Sequence, residues 1–362
     1  MKKELGQYFT PPYIVDKMIS LIQRKGVILE PSCGDGAFLK KMKGAIGLEI
    51  DKSVASKEAI IMDFFDWEKT VSTIIGNPPY VRFQDIISST KEKLPKVMDN
   101  RSNLFLFFLW RSIDLLEENG EMIFIVPRDF IKLTSAISLN KRLYEEGGFT
   151  YWEEFGDIKI FENASPNVVI FRWEKGAKHT IPVFYQNGFL FFSKPTGTPI
   201  KELFDVLVGG ASGLNSVFIE ETGNIELVVS TTKKTGKTMR AHYEEEPTKY
   251  LQQYKQELMN RKIKTFSEDN WWEWGRKIRH INGDKIYVNC KTRDNKPFFT
   301  NPSGWFDGSV LALIPKYKWY NKIEEVIDLL NQNNWEEQGF KVGGRLIFGQ
   351  KTLLNAYLKR EN

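Results

Sequence analysis

Asn77-Pro78-Pro79-Tyr80 directly follows the apolar run Thr73-Ile74-Ile75-Gly76 and has the sharpest chemical content in the chain. Two consecutive prolines fix the backbone and remove two N–H donors, so the local carbonyls face outward as acceptors. An asparagine side-chain oxygen beside a proline carbonyl can accept both hydrogens of one amino group. Tyr80 adds a flat face on which a planar ring can stack. An adenine, a cytosine or a carboxamide meets that description. The plain alternative is a proline-rich turn with a packed tyrosine.

Three earlier runs also end in polar groups: Val27-Ile28-Leu29-Glu30, Ile46-Gly47-Leu48-Glu49 and Ala59-Ile60-Ile61-Met62-Asp63. Short apolar runs of this kind suit strands buried on both faces of a mainly parallel sheet. In such sheets ligands bind at the carboxyl ends of the strands. Three carboxylates and the Asn77 amide would then share one edge, which is what a cationic, hydroxyl-bearing cofactor needs. Pro31-Ser32-Cys33-Gly34-Asp35-Gly36 follows Glu30, and its two glycines let the backbone approach a ligand closely. The loop lacks the Lys-Ser/Thr pair of a phosphate-binding loop and the third glycine of a dinucleotide fingerprint. Its acidic lining disfavours phosphate. A tight strand-to-helix turn with capping acids is the alternative for the loop alone.

The remaining elements must hold that edge in place. Ile14, Met18, Leu21 and Ile22 have helical spacing after Thr10-Pro11-Pro12, with Thr10 as N-cap and proline at the first helical position. Residues 103–118 read as a buried helix, and residues 121–127 and 167–173 as further strands. The fold class is α/β, a doubly wound, mainly parallel sheet. Ser193-Lys194-Pro195-Thr196-Gly197-Thr198-Pro199 is dense in chain breakers, which predicts a catalytic domain over 1–195 and a second domain over 196–362. That second half is mixed α+β. It has strand-like runs at 226–230, 285–288 and 310–314, a helix from Asn321 with Glu324 three residues on, and a closing helix through Leu353, Leu354, Tyr357 and Leu358.

Composition excludes several classes. Two cysteines and three scattered histidines cannot build a disulfide scaffold or a cysteine- or histidine-rich metal site. The longest apolar run, Leu104 to Trp110, is far below the roughly 18 residues of a membrane span. A soluble, intracellular, reduced protein is expected, with no membrane and no metal partner. The net charge of +5 is uneven. Residues 1–195 hold 26 basic and 25 acidic groups, whereas residues 227–300 hold 16 and 9. Lys233, Lys234, Lys237 and Arg240 lie within eight positions, and Arg276, Lys277 and Arg279 follow Trp271, Trp272 and Trp274. Cations interleaved with aromatics suit contact with a phosphate backbone. A solvated basic face over core tryptophans is the alternative for any one of them.

Taken in order, Gly6-Gln7-Tyr8-Phe9-Thr10-Pro11, Glu30 to Leu39, Gly47 to Asp51, Asp63-Phe64-Phe65 and Asn77 to Tyr80 resemble the gamma-class, Taq-type adenine-N6 DNA methyltransferases of restriction–modification systems. The resemblance covers residues 5–175 motif by motif and the rest loosely. It implies a class I, Rossmann-like methyltransferase domain that uses S-adenosylmethionine, followed by a domain that recognises double-stranded DNA. Gln7, Tyr8, Phe9 and Thr10 would fold over the methionine end of the cofactor. Glu30, Pro31, Ser32, Cys33, Gly34 and Gly36 would line its methionine and ribose, and Glu49, next to Ile50, would take the ribose hydroxyls. Asp63 would receive the cofactor's adenine amine, with Phe64 packed on that ring.

Phe108 matches an aromatic position beside the cofactor adenine, though Phe105 and Phe107 could serve equally. Asn77, Pro78, Pro79 and Tyr80 would form the catalytic motif, and Phe161 would present a second aromatic to a flipped-out target base. A nucleophilic role for Cys33 is not implied. The bacterial cytosol is the implied location, and any cognate endonuclease would be a separate chain. Asn-Pro-Pro-Tyr also occurs in protein-glutamine methyltransferases. Methylation of protein or RNA, or a partner that binds DNA without catalysis, are therefore the rival readings.

Overall fold

The apolar runs condense into a sheet because each is long enough for one strand and is bounded by residues that turn the chain. The computed structural model describes residues 9–156, 158, 160–161, 167–342 and 344–359, so Gln7 and Tyr8 lie outside the described residues. The chain divides into two compact units, Met1–Pro195 with Val342–Gly344, and Thr196–Lys341 with Arg345–Asn362.

In the first unit the described strands are β1 (Ile28–Glu30), β2 (Ile46–Glu49), β3 (Ile60–Ile61), β4 (Val71–Gly76), β5 (Leu116–Pro127), β6 (Gly147–Glu154) and β7 (Val168–Lys175). They form one sheet in the order β3-β2-β1-β4-β5-β7-β6. β1 to β5 pair in parallel, and β7 runs antiparallel to both neighbours. The order reverses between β1 and β4, and the crevice at such a switch point is where doubly wound sheets bind ligands. β6 escapes the sequence reading: Gly147-Gly148 masks the start of a strand whose later residues, Phe149 to Trp152, are strong β-formers.

Both faces of the sheet are covered. Along β5, Met122, Phe124 and Val126 enter one core while Ile123 and Ile125 enter the other, the alternation that a strand imposes. Helix α1 (Pro12–Ser20) lays Ile14, Val15 and Met18 on the second of these. Pro12 opens it with φ already set and no N–H to satisfy. The N-cap is Pro11, without a side-chain hydrogen bond, so Thr10 is not the cap that the sequence predicts; its hydroxyl is engaged elsewhere. After the short helix α2 (Ser88–Lys91), helix α3 (Leu104–Leu115) is capped by Asn103, whose side chain accepts from Phe105 N. Helix α3 buries Leu104 through Leu109 almost all round, as a helix apolar on every face must. Each fully buried Leu or Phe contributes about 1.5–3 kcal/mol. After Gly36 only a single 3₁₀ turn forms, Leu39–Lys41, where the sequence suggests a helix. Gly44, at φ +85°, turns the chain back before the helix can extend.

The edge opposite the crevice is tied by a buried ionic network. Glu121, fully buried on β5, accepts from Gln23 N (2.9 Å), Arg24 N (2.8 Å), Thr73 Oγ1 (3.1 Å) and Arg172 Nε (2.5 Å). Arg172 also donates to Glu174 (2.7 Å), which Arg24 reaches too. The segment after α1 is thereby fastened to β4, β5 and β7.

The second unit is mixed. Its larger antiparallel sheet orders Phe204–Val208, Val310–Pro315, Ile286–Asn289 and Phe298–Phe299. The helices Ile323–Gln332 and Gln350–Leu354 share its core. A smaller sheet joins Met239–Ala241, Ile225–Val228 and Trp305–Phe306. The closing helix ends at Leu354. Tyr357–Leu358 instead pairs as a strand with Thr198–Pro199, a long-range pairing that local periodicity cannot reveal.

Glu121→Ala leaves Arg172 buried without its main partner, and losing one member of a buried pair costs about 3–5 kcal/mol. Urea unfolding is expected to show a loss of that size; a change below about 1 kcal/mol would contradict the network's role.

Candidate active site

A cavity opens at the carboxyl edge of β1, β2 and β4. Phe9, Thr10, Glu30, Pro31, Ser32, Cys33, Gly34, Glu49, Ile50, Asp63, Phe64, Asn77, Pro79 and Phe108 line it. Pro78 sits between two lining residues. Gly36 lies beneath the loop, at φ +79°, where a Cβ would meet Ser56 Oγ at 2.8 Å.

The loop after β1 is held from below. Gly34, at φ +50°, donates its N–H to Glu49 Oε2 at 2.9 Å, and Asp51 N donates to Glu49 Oε1 at 2.9 Å. Each carboxylate oxygen has a second lone pair, so Glu49 can brace the loop and still accept from a diol. Glu30 is 2% exposed, and its Oε2 finds no hydrogen-bond partner. Burial pushes its carboxyl well above the ordinary carboxylate range; Asp35 and Glu49 push the same way, and a backbone hydrogen bond from Leu39 opposes them. Burial, with Glu30 and Glu49 beside it, also drives the Cys33 thiol up to about 12. That thiol is protonated at neutral pH and is no nucleophile.

At the far end Asp63 follows β3. Its Oδ1 accepts from Phe65 N (3.1 Å), and its Oδ2 accepts from Thr90 Oγ1 (2.7 Å) and Lys93 Nζ (3.2 Å). Thr90 and Lys93 are partners that sequence reasoning missed, because they act across a loop with no local pattern to mark them. The same loop brings Val81, Asp85, Ile86 and Ile87 to the cavity. Phe64 packs on Phe108 with ring centroids 4.8 Å apart. Of the three phenylalanines in α3, Phe108 lines the cavity, whereas Phe105 packs on Tyr80 and Phe107 on Phe83.

Asn77 stands where β4 ends. Its Nδ2 donates to Thr10 Oγ1 at 3.2 Å, and its carbonyl accepts from Ser32 Oγ at 3.2 Å. Tyr80 donates its hydroxyl to Ile125 O at 3.0 Å and lies edge-on to Phe105 and Phe161, 5.8 and 6.3 Å away. Phe161 is only 2% exposed, packed in the core that α1 covers. In this structure it braces the Tyr80 ring, and its face is not open for stacking.

In the second unit the predicted cations behave differently from one another. Lys234, Lys237, Lys277 and Arg279 are exposed. Lys233 pairs with Asp294. The guanidinium groups of Arg240 and Arg276 donate to backbone carbonyls of their own unit, Gly223 (2.8 Å) and Gly209 (2.8 Å). Trp271 and Trp274 are buried core residues. Among the described residues no helix is long and apolar enough to cross a membrane, and no group of three His, Cys, Asp or Glu side chains could hold a metal ion.

The orphaned Glu30 oxygen, with Asp35 and Glu49 beside it, suits a cation such as S-adenosylmethionine. A bound cation favours the Glu30 carboxylate, so binding releases a proton wherever the empty site holds that carboxyl protonated. Affinity is therefore expected to weaken as pH falls through the raised pKa, by at most about tenfold per pH unit for one proton. Glu30→Gln should flatten that profile. Calorimetric titration with the cofactor across pH tests this, and the same slope in both proteins would contradict it.

Residues 36–161 match the family described as Eco57I restriction-modification methylase. Over 191 residues the chain is 35% identical to the Type II methyltransferase M.HincII of Haemophilus influenzae, covering 48% of this chain and 38% of that protein. It is 28% identical over 201 residues to M.TthHB8I of Thermus thermophilus, covering 49% and 46%. The chain thus spans less than half the length of these relatives. Among solved structures, the Type IIL restriction-modification enzyme MmeI superposes with a TM-score of 0.64 at 10% identity, over 96% of this chain and 64% of that one. The DrdV structure superposes with 0.55 at 12% identity, over 88% and 50%. With the strand order and the acidic crevice, the first unit has the class I, Rossmann-like fold of S-adenosylmethionine-dependent methyltransferases, and its residues 36–161 are similar to the restriction-modification methylases.

Proposed function

We propose that the chain is a site-specific DNA methyltransferase that moves a methyl group from S-adenosylmethionine to the N6 amino group of a flipped-out adenine in duplex DNA. The carrying observation is Asn77-Pro78-Pro79-Tyr80 at the end of β4, on the rim of the acidic cavity. The relatives named Type II methyltransferases support DNA as the substrate. Paired modification with a separate restriction endonuclease, in a bacterial cytosol, fits the same reading.

The cofactor, when bound, supplies an electrophilic methyl group. Glu30 and Asp35 would face its positive charge, Glu49 its ribose hydroxyls, and Asp63 with Phe64 and Phe108 its adenine; Phe9 and Thr10 would cover the methionine end. The exocyclic amine of adenine is a weak nucleophile because its lone pair is delocalised into the ring. Asn77 Oδ1 and the Pro78 carbonyl would accept its two hydrogens, drawing the nitrogen toward sp³ and aiming the lone pair at the methyl group. Thr10 Oγ1, on Asn77 Nδ2, supports the amide orientation that turns Oδ1 to the amine. Positive charge develops on nitrogen as the bond forms, and these acceptors and the Tyr80 π-face stabilise it more than the ground state. As the nitrogen–carbon bond forms, the carbon–sulfur bond would break with its electron pair left on sulfur, and the methylated, cationic nitrogen is acidic enough to lose its surplus proton to water. No strong base or protein nucleophile is therefore required, in keeping with the protonated Cys33 thiol.

A stacked base cannot reach this crevice, so the target must leave the helix; methyltransferases are among the handful of enzymes for which base flipping is the general solution. Tyr80 would stack on the extrahelical base, with Phe161 behind it. Lys233, Lys234, Lys237, Arg240, Arg276, Lys277 and Arg279 would serve DNA binding in the second unit, Arg240 and Arg276 while also anchoring their own backbone.

Asn77→Ala should lower labelled-methyl transfer to DNA by about 10²–10³-fold or more, the usual scale for one transition-state hydrogen bond, with cofactor binding retained. Full activity in that variant would sink the assignment. Tyr80→Ala should lose several-fold in turnover and weaken the signal of a fluorescent base analogue at the target position. Unchanged base fluorescence would count against its stacking role.

A further inference from the structure

The cations of the second unit fall into two groups. Lys233 and Lys255 are paired with Asp294 and Glu268, and Lys264 lies 3.0 Å from Glu273. Arg261 is buried and donates to the carbonyls of Leu258 and Trp271 at 2.8 and 2.6 Å. By contrast, Lys234, Lys291, Arg293 and Arg345 have no ion-pair partner among the described residues, and all four line one cleft.

The topology explains how the cleft gathers them. Lys291–Thr292 pairs antiparallel with Arg345–Ile347, Lys291 opposite Ile347 and Thr292 opposite Leu346. Carried on by one residue, that register sets Arg293 across from Arg345. Directly opposed side chains share a face, as do alternate residues of one strand. Lys291, Arg293 and Arg345 therefore come together along two neighbouring strands of a three-stranded sheet, where all three line the cleft. Lys234 joins them from the helical turn Thr232–Thr235. Deeper in the cleft lies Asn289, 9% exposed, whose Nδ2 donates to Ser230 O at 2.7 Å while its Oδ1 has no hydrogen-bond partner.

Like charges facing each other weaken a strand pairing, so the stability of the unit gives no reason for this arrangement. A polyanion does. Arginine's planar fork matches phosphate oxygens.

We propose that this cleft seats the sugar–phosphate backbone of the DNA duplex, with Lys234, Lys291, Arg293 and Arg345 as its phosphate contacts. The proposal rests on the reading of the chain as a DNA methyltransferase and adds where the duplex is held. It moves the weight of backbone binding from Arg240 and Arg276, whose guanidinium groups are anchored to carbonyls, to cations dispersed in sequence.

The test is fluorescence anisotropy of the full chain with a mixed-sequence duplex of about 30 base pairs, between roughly 50 and 200 mM salt. Each phosphate contact contributes about −0.9 to the slope of log K against log salt. Arg293→Gln or Arg345→Gln alone should flatten the slope by about 0.9, and the four glutamine substitutions together by about 3.6. Urea unfolding followed by tryptophan fluorescence reports that the second unit of each variant still folds, and the single variants carry the test if the fourfold one does not. An unchanged slope overturns the cleft as a DNA seat. A lost site preference with an unchanged slope also overturns it, because bases and not phosphates would then be contacted there. A wild-type chain that binds duplex with a steep slope yet transfers no methyl group to DNA would strike the proposed function and leave the cleft standing.

Discussion

A carboxyl group with almost no access to water and no hydrogen-bond partner for one of its oxygens is costly to keep, and Glu30 is such a group. Asp35 and Glu49 make its ionised form still harder to hold. The strand order puts these acids there: β1 and β2 end side by side, next to the point between β1 and β4 where the strand order reverses. A cation entering the crevice relieves the penalty, and an anion adds to it. The preference for a positively charged cofactor is thus built into the sheet before any contact is counted.

The rest of the first unit keeps that crevice rigid. Glu49 fixes the loop above it through Gly34, and the 3₁₀ turn keeps the loop short. At the opposite edge Glu121 and Arg172 lock β4, β5 and β7 together and hold the segment that leads from α1 into β1. The Thr10 hydroxyl, just before helix α1, reaches the crevice from the N-terminal segment of the chain. Asn77 is consequently placed by three separated segments, its own strand, Ser32 after β1 and Thr10 before α1. Amine methylation by this route needs positioned acceptors and no strong base, and position is what the fold supplies.

Glu30, Glu49 and Asn77 are legible in the sequence because each ends an apolar run, and a strand end has a defined place in a parallel sheet. Thr90 and Lys93 are not, since their contact with Asp63 depends on how a loop folds back across many residues. The choice of Phe108 over Phe105 and Phe107 needs the helix's rotation, which an all-apolar helix does not encode in its periodicity. In the second unit, clustered charge in the sequence points to Arg240 and Arg276 but cannot tell a waiting guanidinium from one spent on a carbonyl. The pairing of Lys291 and Thr292 with Ile347 and Leu346, which gathers Arg293 and Arg345 at one cleft, joins segments far apart in the chain and is visible only in the sheet register.

The central claim is that the crevice transfers a methyl group directly to an exocyclic amine of DNA. Mass spectrometry of nucleosides from the DNA of a methylation-free bacterium expressing this chain tests it most directly. N6-methyladenine is the predicted product. Finding C5-methylcytosine, or no modified nucleoside in the presence of folded, cofactor-binding protein, would contradict the account.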